Sequence, residues 1–249
     1  MSQSVKLPPA GAFPATRHSL LEAVASPEPA ERTRAFGLLV ESYWKPVYKY
    51  LRLKHRAGRE EAEDLTQEFF TRALERSFFD RFDPRVARFR TYLRTCVDRF
   101  AANQRRDAQR AKRGGGAVRL SLDFDLAEGE VARAGQAAAD SVEDFFQREW
   151  MRSFFELAVT NLESRCREVG KEVQFALFER YDLGEDPAAR PTYAELAREY
   201  SLPVTQVTNY LAWVRRELRK IILERLRTVT TSDDEFRAEA RALLGATFE

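Results

Sequence analysis

Residues 59–74, REEAEDLTQEFFTRAL, decide the fold class because their acidic and apolar positions separate onto two sides of a helix. At 100° per residue the acidic face occupies an arc of about 160°. That face consists of Glu60, Glu61, Glu63, Asp64, Gln67 and Glu68. The opposite side consists of Ala62, Leu65, Phe69, Phe70, Ala73 and Leu74. The segment is therefore predicted to be an amphipathic helix with its apolar side in the core.

Helical spacing of apolar residues continues outward from this segment over almost the whole chain. No stretch shows the sustained two-residue alternation that is typical of strands. Helices are predicted over roughly 31–56, 59–77 and 88–112, with breaks at Gly58 and at Asp83-Pro84. We therefore predict an all-α fold made of two small helical domains.

The domain boundaries follow from composition. The stretch that begins with Gly114-Gly115-Gly116 has few large apolar residues, which predicts that it buries too little surface to offset its ordering entropy. A short apolar-faced helix is predicted within the tail, around Asp234 to Leu244. The predicted segments are a flexible N-terminal segment (1–30), a first domain (31–113), a flexible acidic linker (114–141), a second domain (142–227) and an acidic C-terminal tail (228–249).

Charge is distributed in blocks of alternating sign, although the net charge is only +2. Residues 59–68 hold five acids against one arginine, and residues 81–113 hold ten arginines and one lysine against three aspartates. Residues 123–149 hold eight acids against two arginines, and residues 205–227 hold six bases against two glutamates. The basic blocks indicate nucleic acid, and the acidic blocks indicate a protein partner or steering within the molecule.

Several classes of protein are not expected. No apolar run is long enough to span a bilayer and the N-terminus does not look like a signal peptide, which predicts a cytoplasmic protein without a membrane partner. Cys96 and Cys166 are too far apart in sequence to indicate a disulfide framework or a metal site. The chain has no HExxH motif and no phosphate loop, and His18 and His55 have no obvious partners. We expect no enzymatic activity, no metal and no cofactor.

The acidic face of residues 59–68 has two interpretations. It is either a capped, solvated helix surface, since first-turn acids suit the helix dipole, or a docking face for a basic protein surface. The run Glu63–Phe70, EDLTQEFF, resembles the most recognisable motif of the sigma-70 family, in the group called extracytoplasmic-function (ECF) sigma factors. The resemblance favours docking, and it implies contact with the clamp helices of the RNA polymerase β′ subunit. The implied contacts are Asp64 and Gln67, supported by Glu61, Glu63 and Glu68.

Residues 89–107 mix aromatic side chains with arginines and amides. Phosphates are bound by arginine, whereas an unstacked base stacks on an aromatic ring and is read by amides. Four residues at helical spacing are predicted to be core: Phe89, Leu93, Val97 and Phe100. The candidates for DNA contact are Tyr92, Arg94, Arg99, Asn103, Arg105 and Arg106.

The segment resembles the second half of sigma region 2, which melts and reads the −10 element. That resemblance implies a pocket for a flipped base, formed partly by residues 79–88. Tyr92 stands where family members usually carry Trp.

Residues 192–220 are typical of two helices joined by a turn. Thr192 and Glu195 have the form of a capping box, and Pro203 suits the first turn of the second helix. The predicted core face is Val204, Val207, Leu211, Val214, Leu218 and Ile221. The outward residues are Thr205, Gln206, Thr208, Asn209, Arg215, Arg216, Arg219 and Lys220. Short polar groups followed by bases are typical of a recognition helix. The segment resembles sigma region 4, which implies that these outward residues bind the −35 element. Thr208 and Tyr210 stand where members of the family frequently carry basic residues.

The three blocks occur in the order that the family has, which predicts a sigma factor of the ECF type. The implied partners are core RNA polymerase, through the β′ clamp helices and the β flap, and promoter DNA, with an anti-sigma factor or another regulator left open. Two alternatives remain. One is a helix-turn-helix regulator that binds an operator without polymerase, and the other is an interaction protein that titrates polymerase or a regulator without initiating transcription.

Overall fold

The computed structural model describes residues 20–75, 78–83, 85–108, 120–134, 142–184, 186–230 and 232–245. Within these ranges the chain forms helices and no strand, which confirms the predicted all-α fold. The α-helices are α1 (Leu20–Val24), α2 (Pro29–Leu53), α3 (Arg59–Glu75), α4 (Phe89–Ala108), α5 (Phe124–Ala134), α6 (Val142–Glu168), α7 (Glu172–Asp182), α8 (Tyr193–Glu199), α9 (Val204–Val229) and α10 (Asp233–Leu244). Short 3₁₀ turns cover Phe78–Arg81 and Pro187–Ala189. None of the described helices combines the length and apolar character that a bilayer span requires.

The chain divides into two compact units. The first contains the described residues up to Phe154 together with Arg227–Glu239, and the second contains Phe155–Leu226 and the residues from Ala240 onward. The sequence predicts that residues 142–154 belong to the second domain, but they pack within the first unit. The reason is aromatic packing, because Phe146 meets Tyr50 edge-on and Trp150 stacks on Tyr43.

Helix α2 forms the centre of the first unit. Its Tyr43 meets Phe89 of α4 edge-on at 5.4 Å between ring centroids, and its Phe36 meets Phe70 of α3 at 6.5 Å. Aromatic pairs of this kind each contribute about 0.5–1.5 kcal/mol beyond the area that they bury. All four residues predicted as the core face of α4 are buried: Phe89, Leu93, Val97 and Phe100. Because α3 and α4 each pack one side into the core, the opposite, polar side of each helix has a fixed orientation.

Helix α9 supplies much of the core of the second unit. Five of its six predicted core residues are buried: Val207, Leu211, Val214, Leu218 and Ile221. The prediction is wrong for Val204, which is 47% exposed because it is the first residue of the helix and no preceding turn covers it. The predicted capping box of α8 is present. The Glu195 N–H donates to the Thr192 hydroxyl at 3.2 Å, and the Thr192 N–H donates to the Glu195 carboxylate at 2.7 Å.

The prediction of a flexible N-terminal segment fails for part of its range. Residues 1–19 lie outside the described residues, but Leu20–Val24 form α1 and the Leu20 side chain is buried. Helix α2 then begins at Pro29, where the missing N–H of proline costs no helical hydrogen bond. Residues 20–24 form a helix because Leu20 buries its side chain, which a composition rich in proline does not reveal.

The prediction of a flexible acidic linker is also wrong for part of its range. Phe124–Ala134 form helix α5, in which Ala127 and Val131 are buried. A count of apolar residues predicts too little burial here, but α5 is also held by its acids and by Phe124. The described part of the linker is therefore a packed element of the first unit.

The tail helix matches its prediction closely. It spans Asp233–Leu244, beside the predicted 234–244. Phe236 is buried and its ring lies 4.4 Å from the Arg227 guanidinium. A cation over an aromatic face contributes about 0.5–2 kcal/mol. Residues 233–239 are therefore held in the first unit by this contact as well as by their apolar face.

Candidate functional site

The acidic face of α3 consists of two edges with different surroundings. Helical geometry places Arg59, Glu63 and Gln67, four residues apart, on one edge. Glu61 and Asp64 lie on the other edge and are exposed. Glu61 accepts a hydrogen bond from the Gly58 N–H at 3.3 Å, which caps the start of the helix. The exposed edge presents carboxylates to solvent, as a docking face requires.

The other edge contacts residues of the predicted linker. The Gln67 Nε2 donates to the Leu120 carbonyl at 2.8 Å, and the Leu120 N–H donates to Gln67 Oε1 at 2.9 Å. Arg59 pairs with Glu63 at 2.8 Å and also with Asp125 of α5. Of the predicted docking residues, Gln67 is therefore bound by the chain itself.

Glu68, the last predicted docking residue, is also engaged. It accepts a hydrogen bond from Gln104 of α4 and pairs with Arg72 one turn along α3. The Arg72 guanidinium lies 5.6 Å from the centre of the Phe100 ring. These contacts connect α3 to α4, so Glu68 takes part in packing as well as in the acidic face.

Sequence reasoning missed a cluster of charges between α2 and α5. Lys49 is fully buried and pairs with Glu130 of α5 and, at 2.6 Å, with Glu149 of α6. The Arg52 guanidinium binds both carboxylate oxygens of Glu128, with the Nε contact at 2.9 Å. These hydrogen bonds, with one from Tyr48, lower the pKa of Glu128 to about 2 against the cost of partial burial, so the carboxylate is charged at neutral pH.

The sequence carries one indication of this cluster, which is the spacing of the basic residues on α2. Lys45, Lys49 and Arg52 recur at intervals of four and three, which places them on one helix face. Three basic side chains on one helix face are expected to pair with acidic side chains, and in the structure these acids come from the block at 123–149. The pairing was not predicted because nothing in the sequence specifies which acidic block folds onto which basic face.

The candidate DNA residues of α4 separate onto two flanks of the helix. Helical geometry places four of them within an arc of about 60°: Tyr92, Arg99, Asn103 and Arg106. Arg99, Asn103 and Arg106 are exposed. The Tyr92 ring lies 5.4 Å from the Phe82 ring, and its hydroxyl donates to the Phe78 carbonyl at 2.6 Å. Partial burial, with Cys96 nearby, raises the pKa of Tyr92 to about 12, so the ring is neutral. The Tyr92 flank thus combines an aromatic ring, an amide and arginines next to the loop of residues 78–83.

Arg94 and Arg105 lie on the other flank and contact the chain itself. Arg94 approaches Asp98 at 3.8 Å, and Arg105 donates to the His55 carbonyl. Asp98 accepts from His55 at 2.8 Å and from the Tyr50 hydroxyl at 2.9 Å. Burial opposes ionisation of Asp98, but these hydrogen bonds outweigh it and lower its pKa. The structure therefore does not bring the six candidates into one surface.

The start of α4 is contacted by the tail helix, which sequence reasoning also missed. Glu239 of α10 is 1% exposed and accepts hydrogen bonds from Arg88 at 3.1 Å and from Arg90 at 2.5 Å. The Arg90 guanidinium also lies 4.1 Å from the centre of the Trp150 ring. Two arginines of the 81–113 block therefore share one carboxylate within the molecule.

The outward face of α9 is largely open to solvent. Four candidates share a stripe within an arc of about 60°, opposite the buried face: Thr205, Asn209, Arg216 and Lys220, all exposed. Thr208 is exposed and its hydroxyl donates to the Val204 carbonyl at 3.1 Å, Gln206 contacts the Tyr210 hydroxyl, and Arg219 is half-buried. We call the first four residues the outward stripe of α9.

Arg215 lies at the edge of the buried face and binds another helix. Its Nε and NH2 groups donate to the two carboxylate oxygens of Asp182 at 2.9 and 3.0 Å. Hydrogen bonding to Asp182 raises the pKa of the Arg215 guanidinium above its ordinary value. The sequence predicts a DNA contact for Arg215, but its guanidinium is occupied in connecting α9 to the end of α7.

Among the residues that the structure describes, no group of three or more His, Cys, Asp or Glu side chains is arranged to hold a metal ion.

Residues 39–111 match the family model of sigma-70 region 2, which covers α3, α4 and most of α2. The matched range is 73 of the 249 residues, and it shows that this part of the chain is similar to sigma-70 region 2. Searches of curated proteins and of solved structures gave no match. The helix pair α8–α9 lies outside the matched range, so its role is argued from its own geometry.

Proposed function

We propose that the protein is a sigma factor of the ECF type, which binds core RNA polymerase in the cytoplasm and directs it to promoters. The observation that carries the proposal is the sigma-70 region 2 match over residues 39–111, together with the exposed carboxylates of Glu61 and Asp64 on α3. Sigma-70 factors are non-enzymatic initiation factors, so the chain is proposed to act through binding alone.

The acidic helix is proposed to dock on the clamp helices of the β′ subunit. Asp64 is exposed and offers a carboxylate that arginine binds in a bidentate manner. Glu61 and Glu63 add negative charge on either side, and Gln67 offers an amide at the end of the same face. Opposed charges of this kind increase the rate of encounter and select the partner.

The Tyr92 flank of α4 is proposed to hold the melted −10 element. Arg99 and Arg106 are placed to bind phosphates, Tyr92 to stack on an extruded base, and Asn103 to read a base edge. Extruding a base costs a few kcal/mol, and stacking returns about 1–3 kcal/mol per base, so melting needs no ATP once the base is captured. Arg94 and Arg105 are proposed to orient α4 through Asp98 and His55 and to contact DNA less directly.

The helix pair α8–α9 is proposed to bind the −35 element in the major groove. Thr205 and Asn209 lie near the N-terminus of α9, where a recognition helix reaches base edges. Arg216 and Lys220 follow about two and three turns after Asn209 on the same stripe and suit phosphate contact. The β flap of polymerase, and an anti-sigma factor or another regulator, are proposed as further partners of the chain.

The alternative function is an operator-binding regulator that acts without polymerase, and the open stripe of α9 favours it. A footprint on the DNA upstream of the protein's own gene separates the two functions. With the chain and core polymerase together we expect protection of both promoter elements, and with either alone we expect little. Full protection by the chain alone, unchanged by core polymerase, would support the regulator and contradict the sigma factor.

A further inference from the structure

Both ends of the Gln67 amide are bound by the main chain of Leu120. The amide nitrogen donates to the Leu120 carbonyl at 2.8 Å and the amide oxygen accepts from the Leu120 N–H at 2.9 Å. Gln67 belongs to the acidic face that is proposed to dock on core polymerase. A partner that pairs with both ends of this amide has to displace Leu120 first.

A second contact joins the same segment to the same edge of α3. Asp125 pairs with Arg59, two turns before Gln67. The side chains of Asp125 and Arg59 are 86% and 48% exposed. Solvent-exposed ion pairs contribute about 0–1 kcal/mol, so this contact is easily broken. Residues 120–123, which we call the cover, therefore lie on α3 between the two Gln67 hydrogen bonds and this weak ion pair.

The residues that follow the cover are held far more firmly. Phe124 packs against Trp44 and Tyr48 of α2, with ring centroids 5.5 and 5.1 Å apart. Glu130 is buried with Lys49, and Glu128 binds Arg52 through two hydrogen bonds. Because α5 is anchored in this way, a released cover stays close to α3 at a high effective concentration.

We propose that the cover is an intramolecular competitor, which core polymerase must displace from Gln67 while α5 stays anchored on α2. The proposal rests on the proposed function, since it takes core polymerase to be the partner of the acidic helix. The apparent affinity of the chain for core polymerase is reduced by the fraction of molecules in which the cover is closed. A variant with an open cover binds core polymerase more tightly than the unaltered chain does.

The test compares Leu120→Pro with Leu120→Ala in the full chain. Proline removes the N–H that Gln67 accepts, whereas alanine keeps it and serves as the matched control. Core polymerase prepared without sigma is titrated with each labelled chain. We expect Leu120→Pro to bind about three- to tenfold more tightly, the range expected for one hydrogen bond, and Leu120→Ala to change affinity less than twofold.

The outcomes separate the cover from the proposed function. If the unaltered chain binds core polymerase and Leu120→Pro binds no more tightly, the cover proposal is overturned and the sigma factor stands. If neither chain binds core polymerase, the proposed function fails and the cover proposal fails with it. Asp125→Ala offers a second opening variant, expected to bind up to about threefold more tightly. Its control is Glu168→Ala, an equal charge change at an exposed site outside the first unit.

A measurement on the unaltered chain tests the displacement directly. Amide hydrogen exchange is followed for the chain alone and in complex with core polymerase. We expect the Leu120 amide to exchange faster in the complex, because its acceptor Gln67 has been taken by the partner, and the amides of residues 128–134 to keep their protection. A Leu120 amide that is equally protected in the complex would show that the cover stays closed and would overturn the proposal.

Discussion

The acidic helix α3 and the outward stripe of α9 are both proposed to bind macromolecules, yet the chain surrounds them differently. On α3, Gln67 and Arg59 already contact residues 120–125. On α9, Thr205, Asn209 and Arg216 are exposed. The comparison shows that a polar helix face can already be in contact with another segment of the same chain. Binding at α3 requires the release of an internal contact, whereas the stripe of α9 is ready to bind as it stands.

The largest expected effect concerns the buried cluster that anchors α5. Lys49→Ala removes the buried cation from Glu149 and leaves Glu130 with Lys45, and breaking a buried pair in this way costs about 3–5 kcal/mol. Urea unfolding in a Trp213→Phe background, in which the remaining tryptophans lie in the first unit, measures the loss. Lys45→Ala is the control, because Lys45 is partly exposed and pairs with Glu130, whereas Lys49 is fully buried. Equal losses for the two variants would mean that the cluster is not the anchor.

The next effect concerns the exposed edge of α3. Asp64→Ala is expected to weaken binding to core polymerase roughly tenfold to thirtyfold, which corresponds to about 1.4–2 kcal/mol, because a carboxylate that pairs at the centre of an interface is lost. Glu168→Ala removes an exposed charge outside the first unit and is expected to change affinity less than twofold. Titration of core polymerase with the labelled full-length variants measures both. An unchanged affinity for Asp64→Ala would remove α3 from the docking surface.

A smaller effect separates stability from binding in the second unit. Thr192→Ala removes the capping box of α8 and is expected to destabilise the unit by about 1 kcal/mol. Thr205→Ala, on the outward stripe, is expected to leave stability unchanged and to weaken −35 binding. Thermal unfolding by circular dichroism and promoter binding with core polymerase present are measured on both variants. If Thr205→Ala lowers stability as much as Thr192→Ala does, Thr205 supports the fold and does not face DNA.

The smallest effect distinguishes two adjacent arginines of α9. Arg216→Ala is expected to reduce by about one unit the slope of log affinity against log salt for promoter DNA, since one phosphate contact is lost. Arg215→Ala is expected to leave that slope unchanged, because its guanidinium already binds Asp182. Salt titrations of promoter binding with core polymerase present give both slopes. A reduced slope for Arg215→Ala would show that Arg215 leaves Asp182 for DNA.

Sequence periodicity predicted the helices and most of their buried faces because burial on a helix follows its repeat. Phe89, Leu93, Val97 and Phe100 are core for that reason, and the capping box at Thr192 is equally local. Pairings between distant segments were not predictable. Lys49 with Glu130, Arg90 with Glu239 and Gln67 with Leu120 join residues from 53 to 149 positions apart, and sequence pattern does not encode such partners. The flexible linker was predicted wrongly over residues 124–134, where ion pairs and one aromatic ring replace the apolar area that the helix lacks.

The most direct test of the sigma factor proposal is run-off transcription with core polymerase, the full chain and the DNA upstream of the protein's own gene. The proposal predicts a transcript of defined length that requires both the chain and core polymerase, and that is reduced by Asp64→Ala. The absence of any transcript from such promoters, together with no binding of the chain to core polymerase, would contradict it.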